Sequence, residues 1–337
     1  MKLLIKPLVM GFIAAGVLSS QLAQAADIQP RMIRFGYGLA EDSNQGRAVK
    51  FFVDELAKRS GGKLRAKGFG GASLGNDIQM QNALVGGAQE MMVGSTATLV
   101  GVVKEFGVYD LPFLFANEKE ADAVLDGPFG QKLMARLPEK GLVGLSYWEN
   151  GFRNVTNTKR PITRLEDLQG VKLRVMQNPV YIDMFNSFGA NAVPMAFSEL
   201  FTALETKAVD GQENPVNTIQ SSKFYEVQKY LSMTRHVYSP WIVLVSKRWW
   251  EGLSKDERKV IQEAANAARD FERKDTRAEA ERGIAFLRKQ GMQVNFVNTA
   301  ELQRMREKAK PAFDKFAADS GAAVLKELQA ALVQARK

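Results

Sequence analysis

Strand-like and helical stretches alternate from the first folded residues, and that alternation restricts the architecture more than any other feature of the chain. Met32–Leu39 (MIRFGYGL) has the apolar character of a buried strand and ends in the polar turn Glu41-Asp42-Ser43-Asn44. Val49, Phe52, Val53 and Leu56 then recur at i, i+3, i+4 and i+7, the spacing of one helical face, until Gly61-Gly62. Leu64–Phe69 is a second strand, Asp77 stands where it can cap a helix over Ile78–Val85, and Glu90–Gly94 is a third strand. Strand–helix–strand order predicts an α/β fold with a parallel sheet and crossover helices. Ligands of such sheets sit beyond the carboxyl ends of the strands. Glu41, Asn44, Gln45, Asn76, Ser95 and Thr96 all fall in those loops and are candidates to line a site, although each also suits an ordinary turn or cap.

The alternation repeats. Leu142–Tyr147 reads as a strand, and the chain then crosses at Arg153 into a second region. Thr163-x-x-Glu166 predicts a capping box on a short helix ending at Gly170. Val171–Met176 is a strand, Pro179–Phe188 a helix, and Ser198 is placed to cap a helix through Glu205. Trp241–Ser246 is a further strand, and Ser254-x-x-Glu257 opens a helix without Gly or Pro to about Arg282, with Gly283 as a dent. At about 1.5 Å per residue that helix is long enough to span two lobes. The pattern predicts two α/β lobes, residues 26–151 plus 241–280 and residues 152–240 plus 281–330, with a cleft at the crossover.

The first 25 residues form a separate unit. Lys2 and Lys6 precede the apolar run Leu8–Val17, and Ala23-Gln24-Ala25 supplies small residues for cleavage, the pattern of a secretory signal peptide. An exported chain with no cysteine has no disulfides, so it depends on its hydrophobic core, which about 310 residues can supply. The net charge is +9, or +7 without Lys2 and Lys6. The basic residues are scattered, and with export this argues against nucleic acid and for anionic ligands. His236 is the only histidine and no GxSxG elbow is present, which excludes a multi-histidine metal site and leaves a serine triad without its motif.

The stretch from Tyr147 to Pro215 carries the binding chemistry. Arg174 lies inside the apolar strand Leu173-Arg174-Val175-Met176 with no acid nearby in sequence. A buried guanidinium without a partner costs several kcal/mol, so its partner is either a ligand carboxylate or a distant acid such as Glu213. Arg153, after Gly151-Phe152 at the crossover, binds the same carboxylate or is a surface turn residue. The Asn214 amide can donate to a carboxylate or hydroxyl, or cap a helix. Phe197, Trp148 and Trp241 are pocket walls or core residues. Glu41 and Glu149, if they line the site, accept from hydroxyls and repel a second anion, which favours a hydroxylated mono-acid over a dicarboxylate. The competing enzymatic reading makes the same two glutamates an acid/base pair of an exported sugar-acid hydrolase or lyase. A third reading has the lobes present the bound state to a membrane sensor.

GFRNVTN (151–157), LEDLQGVKLRV (165–175) and PMAFSELFTALETKAVDGQENP (194–215) resemble the solute-binding proteins of tripartite ATP-independent periplasmic (TRAP) transporters. The likeness extends over GYGLAEDSNQGRAVKFFVDELAKRSGGKLR and LGNDIQMQNALVGGAQEMMVG to essentially the whole mature chain. It implies a two-lobed periplasmic binding protein fold with a hinge, a central cleft and a long domain-spanning helix. It implies a non-enzymatic monomer without cofactor or metal, located in the periplasm. Such a receptor hands an organic acid to a permease of one small and one large membrane subunit. By this resemblance the ligand carboxylate falls to Arg174, further contacts to Arg153, Asn214 and Phe197, pocket-facing positions to Gln177 and Asn76, and a polar contact to the neighbourhood of His236. The expected ligand is a sugar acid such as a hexuronate, with a C4-dicarboxylate or another hydroxy acid as the alternative.

Overall fold

A computed structural model describes residues 27–337; the signal peptide expected over residues 1–25 lies outside the described residues. The chain opens with β1 (Arg31–Tyr37), α1 (Asn44–Arg59), β2 (Leu64–Phe69), α2 (Asp77–Gly86) and β3 (Met91–Ser95), the alternation read from the sequence. Then come α3 (Glu118–Asp126), α4 (Pro128–Met134), β4 (Leu142–Asn157), β5 (Lys172–Val175), α5 (Pro179–Ser187), β6 (Asn191–Pro194), α6 (Phe197–Glu205), β7 (Gly211–Asn214) and α7 (Val216–Ser221). The chain closes with β8 (Tyr230–Ser246), α8 (Lys247–Glu251), α9 (Lys255–Lys289), β9 (Gln293–Phe296), α10 (Thr299–Lys308), α11 (Lys310–Phe316) and α12 (Ala322–Ala335).

Three local signals play out differently from expectation. Asp77 is the first residue of α2, not its cap: Asn76 caps, in a reciprocal box with Gln79. The short turn after Thr163 is a 3₁₀ segment, Leu165–Leu168, and Thr163 binds the Asp167 carboxylate instead of pairing with Glu166. Helix α6 starts at Phe197 without a side-chain cap, so Ser198 lies inside it.

The larger difference is in β4 and β8. The sequence marks only Leu142–Tyr147 and Trp241–Ser246 as strands, yet these strands run 16 and 17 residues, through both halves of the molecule. They pair antiparallel along their length and join everything into one nine-stranded sheet, β2-β1-β3-β8-β4-β7-β5-β6, with β9 beside β8. Glycine, asparagine and charged residues hide the continuation of β4, and Pro240 interrupts the pattern of β8. The ladder shifts register between Glu149 and Gly151, opposite Pro240 and Ser239. Gly151 has φ +113°, a conformation that costs a residue with a side chain, and Pro240 has no amide to donate. The bulge therefore lies where one lobe passes into the other.

Each half of the sheet is covered on both faces. In the first lobe, α1 and the early part of α9 pack on one side through Phe52, Leu56, Ile261 and Ala264. The other side is covered by α2, α3, α4 and α12. In the second lobe, α5 and α10 cover one face and α6, α7 and the end of α9 the other. α12 belongs with α3 and α4 to the core of the first lobe, where it contributes Leu328 and Leu332, whereas the sequence pattern places residues 281–330 in the second. α9 is one continuous helix of 35 residues opened by the Ser254–Glu257 capping box, and it contributes to the cores of both lobes.

Gly283 does not break α9; it lets α7 approach. A Cβ there would lie 2.5 Å from Val216 Cγ1. Gly→Ala inside a helix ordinarily stabilises by about 1 kcal/mol, whereas overpacking a tight contact costs about 1–3 kcal/mol. Gly283→Ala is therefore expected to lower the urea midpoint; a raised midpoint would contradict the close approach.

Candidate functional site

The parallel strands of both lobes end at one cavity. β1 leads to Gly38, Leu39 and Gln45, β3 to Ser95, and the loop before α2 to Asn76 and Asp77. From the other lobe β5 leads to Met176 and Gln177, β6 to Met195–Ser198, and β7 ends in Asn214. Asn150 and Arg153 from the crossover, with Thr218 and Trp241, complete the wall. Of the residues singled out in the sequence, Arg174, Arg153, Asn214, Phe197, Gln177, Gln45, Asn76 and Ser95 come together here.

The two arginines differ in how they are held. Arg153 is buried and donates from Nε and Nη2 to the Glu213 carboxylate, with a further bond to the Glu213 carbonyl. Burial opposes its charge, but the facing carboxylate outweighs that and raises its pKa. Arg174, 2% exposed, donates from Nε and Nη2 to the Met195 carbonyl at 3.0 and 2.7 Å and has no carboxylate in contact. Burial lowers its pKa to about 10, so it is charged at neutral pH. Glu213, the distant acid considered for Arg174, belongs to Arg153 instead. On both arginines Nη1 is buried and has no hydrogen-bond partner among the described residues. Phe197 lies under the Arg174 guanidinium at 5.9 Å, and Tyr181 under that of Arg153 at 5.5 Å.

The remaining polar groups are partly committed. Gln45 Oε1 accepts from the Leu39 amide and Asn76 Oδ1 from the Gln79 amide. Asn214 Nδ2 donates to Gln212. Ser95 Oγ reaches Met176 Sδ of the other lobe at 3.5 Å. Asp77, read only as a cap in the sequence, is the acid in the wall. Its Oδ2 accepts from the Ser95 amide at 2.9 Å. Burial pushes its pKa up to about 6, against the opposing pull of the Ser95 amide and Arg174.

Four expected site residues lie elsewhere. Glu41 is exposed on the surface turn. Thr96 is buried and donates to the Pro240 carbonyl. The Glu149 carboxylate points away to Arg277 and the Tyr238 hydroxyl. His236 stands behind the arginine: its Nε2 meets Glu213 Oε2 at 3.0 Å and its Nδ1 meets Thr234 Oγ1. Asn150, the neighbour of Glu149 at the register shift, faces the cavity instead. Glu41 and Glu149 therefore cannot act together as an acid/base pair. Among the described residues no cluster of side chains is arranged to hold a metal ion, and no helix is long and apolar enough to cross a membrane.

A cleft between two α/β lobes, closed over an uncompensated guanidinium, is the build of a receptor for a small anion. The profile of the family described as bacterial extracellular solute-binding protein, family 7 (DctP) matches residues 35–319, and the chain belongs to that family. Its members are solute-binding proteins of TRAP transporters rather than enzymes, so this chain is an extracytoplasmic receptor for small organic acids that works with a membrane permease. The crystal structure of the sugar acid binding protein DctPAm from Advenella mimigardefordensis in complex with galactonate is similar, with 50% identity and a TM-score of 0.90 over 92% of this chain and 100% of that one. The 2,3-diketo-L-gulonate-binding periplasmic protein YiaO of Escherichia coli is 38% identical over 269 residues, 80% of this chain and 82% of its own length. The C4-dicarboxylate-binding periplasmic protein DctP of Rhodobacter capsulatus is 30% identical over 324 residues, 96% and 97% of the two chains.

Two outcomes follow from the charges. Glu213→Gln leaves Arg153 buried without its counter-charge and is expected to destabilise the fold by about 3–5 kcal/mol in chemical denaturation; a loss below about 1 kcal/mol would show that the pair is dispensable. Asp77, Asp110 and Glu272 have pKa values raised by burial, to about 6, 8 and 8. The unfolded chain releases those protons near pH 4, whereas the folded one keeps that of Asp77 to about pH 6 and those of Asp110 and Glu272 to about pH 8, so their contribution to stability falls as pH rises through that window. The melting temperature of ligand-free protein is expected to be higher at pH 6 than at pH 8, and Asp110→Asn is expected to reduce the difference.

Proposed function

We propose that the cavity receives a monocarboxylic sugar acid, an aldonate or a hexuronate, and that the receptor delivers it to its TRAP permease. The observation that carries this reading is the buried Arg174, charged and held only by a main-chain carbonyl, which lines the same cavity as Arg153, the Nη1 of each having no partner among the described residues. A ligand carboxylate placed there makes charge-assisted bonds to both arginines, and Phe197 supports the Arg174 guanidinium from below. Asn214 and Gln177 sit on the same lobe. Asp77, Gln45, Asn76 and Ser95 face them from the other lobe, and their open acceptors and donors suit hydroxyl groups. Asp77 thus takes the part first given to Glu41 and Glu149, accepting from a hydroxyl where a second carboxylate would be repelled. A ligand held from both walls stabilises the shut form, so closure about the Glu149–Gly151 bulge accompanies binding. Likeness to the galactonate-binding DctPAm and to YiaO supports the sugar-acid class. The reading includes export by cleavage of the N-terminal 25 residues and action as a monomer.

A C4-dicarboxylate is the second reading, favoured by the two free Nη1 atoms, which suit two carboxylates, and by the likeness to DctP of Rhodobacter capsulatus. A thermal-shift panel separates the two. D-galactonate, D-galacturonate and 2,3-diketo-L-gulonate are expected to raise the melting temperature and succinate to raise it least; a larger shift with succinate would reverse the assignment. Arg174→Ala is expected to weaken the best ligand by about 2–5 kcal/mol in calorimetry, and unchanged affinity would remove the clamp.

A further inference from the structure

Glu272 is fully buried in the middle of α9 and does not line the cavity. Its own hydrogen bonds lead to the cavity wall by two routes, and the Thr276 carbonyl beside it adds a third. Oε2 accepts from the Glu149 amide at 2.8 Å, and the next residue of β4, Asn150, lines the cavity. Oε1 accepts from Thr276 Oγ1 at 2.7 Å, one helical turn along α9. Thr276 Oγ1 in turn accepts from Asn44 Nδ2 at 2.9 Å, and the next residue of α1, Gln45, lines the cavity. The Thr276 carbonyl accepts from Asn217 Nδ2 at 2.8 Å, and the next residue of α7, Thr218, lines the cavity. Thr218 and Asn150 are themselves bonded, at 3.0 Å.

We propose that Glu272 is a positioning residue for ligand binding: with Thr276 it forms a buried hub on the spanning helix that sets Asn150, Gln45 and Thr218, drawn from both lobes, at the cavity wall. The packing of α9 does not require an acid there. Its neighbours on the same face toward the first lobe are Ile261, Ala264, Ala265 and Ala268. The hub also meets the chain where the β4–β8 ladder is broken, so it supplies an acceptor for an amide in the irregular stretch. The charged groups facing it are the Glu149 carboxylate, itself held by Arg277, and Arg273; α1 and α7 present only the amides of Asn44 and Asn217. Burial raises the Glu272 carboxyl to about 8. A neutral group that accepts at one atom and donates at the other can do the same work, which makes Gln a conservative replacement and Leu a disruptive one.

The test compares Glu272→Gln, Glu272→Leu and, as a control for lost helix stability, Ile261→Ala on the first-lobe face of α9. Hydrogen exchange is read at the Glu149 and Asn150 amides of the ligand-free protein, and affinity by calorimetry with D-galactonate and succinate. Glu272→Leu is expected to speed exchange at those amides by about tenfold or more relative to Ile261→Ala. It is expected to weaken the acid that the native protein binds by about 10–100-fold. Glu272→Gln is expected to stay within about threefold of native on both readouts, and Ile261→Ala to lose melting temperature while keeping its affinity. The hub is overturned if Glu272→Leu exchanges like Ile261→Ala, if it keeps native affinity, or if Glu272→Gln is as damaged as Glu272→Leu. Should Glu272→Leu fail to fold, Thr276→Val, which removes the Asn44 contact, is read by the same criteria. The proposal rests on the cavity being the ligand site only for its affinity arm: a native protein that binds neither acid defeats the ligand assignment, and exchange then decides the hub alone.

Discussion

The pairing of β4 with β8 is the constraint on which the rest of the molecule depends. Two long antiparallel strands run through both lobes, and every other strand attaches to them directly or through one or two intervening strands. A regular ladder of that length would be stiff and would send side chains to alternate faces without interruption. The register shift at Glu149–Gly151, opposite a proline, interrupts it at the passage between lobes. Asn150, at that shift, and Arg153, at the next one before Val155, both line the cavity. Position of the bulge and position of the binding wall are therefore one structural fact.

The charges around that wall leave one guanidinium without a carboxylate in contact. Glu213 neutralises Arg153, and His236, kept from protonation chiefly by its burial, braces Glu213 from behind. Arg174 has only a carbonyl. Of the buried acids nearby, Asp110 is pushed up to about 8 and stays mostly neutral at pH 7, whereas Asp77, pushed up to about 6, keeps most of its charge. Two buried guanidinium nitrogens without partners among the described residues are costly unless another acceptor reaches them. This is the arrangement expected of a protein that must bind its ligand well and also release it, since a protein carboxylate in permanent contact with Arg174 would compete with the guest.

The local signals were legible where a short stretch decides its own structure. The strand–helix alternation, the Ser254–Glu257 capping box and the burial of Arg174 in an apolar strand could all be read from spacing and residue type. Loop residues at strand ends were also good guides, and Gln45, Asn76 and Ser95 do face the cavity. The errors came where a choice of face or partner was needed. Glu149 and Asn150 are adjacent, and nothing local says which of the two turns inward. Asp77 looked like a cap because its neighbour Asn76 takes that role one position earlier.

By itself the sequence determined the class of fold and the placing of a charged Arg174 inside an apolar, buried strand, because helical periodicity, capping and strand patterning all act over a few residues. Tertiary structure alone decided that Glu213 serves Arg153, that β4 and β8 are single strands spanning both lobes, and that Glu272 joins three distant segments behind the wall. Those outcomes depend on groups separated by 60 to more than 200 positions along the chain, and the pairing of such groups is set by how the sheet closes its register, which no short stretch encodes.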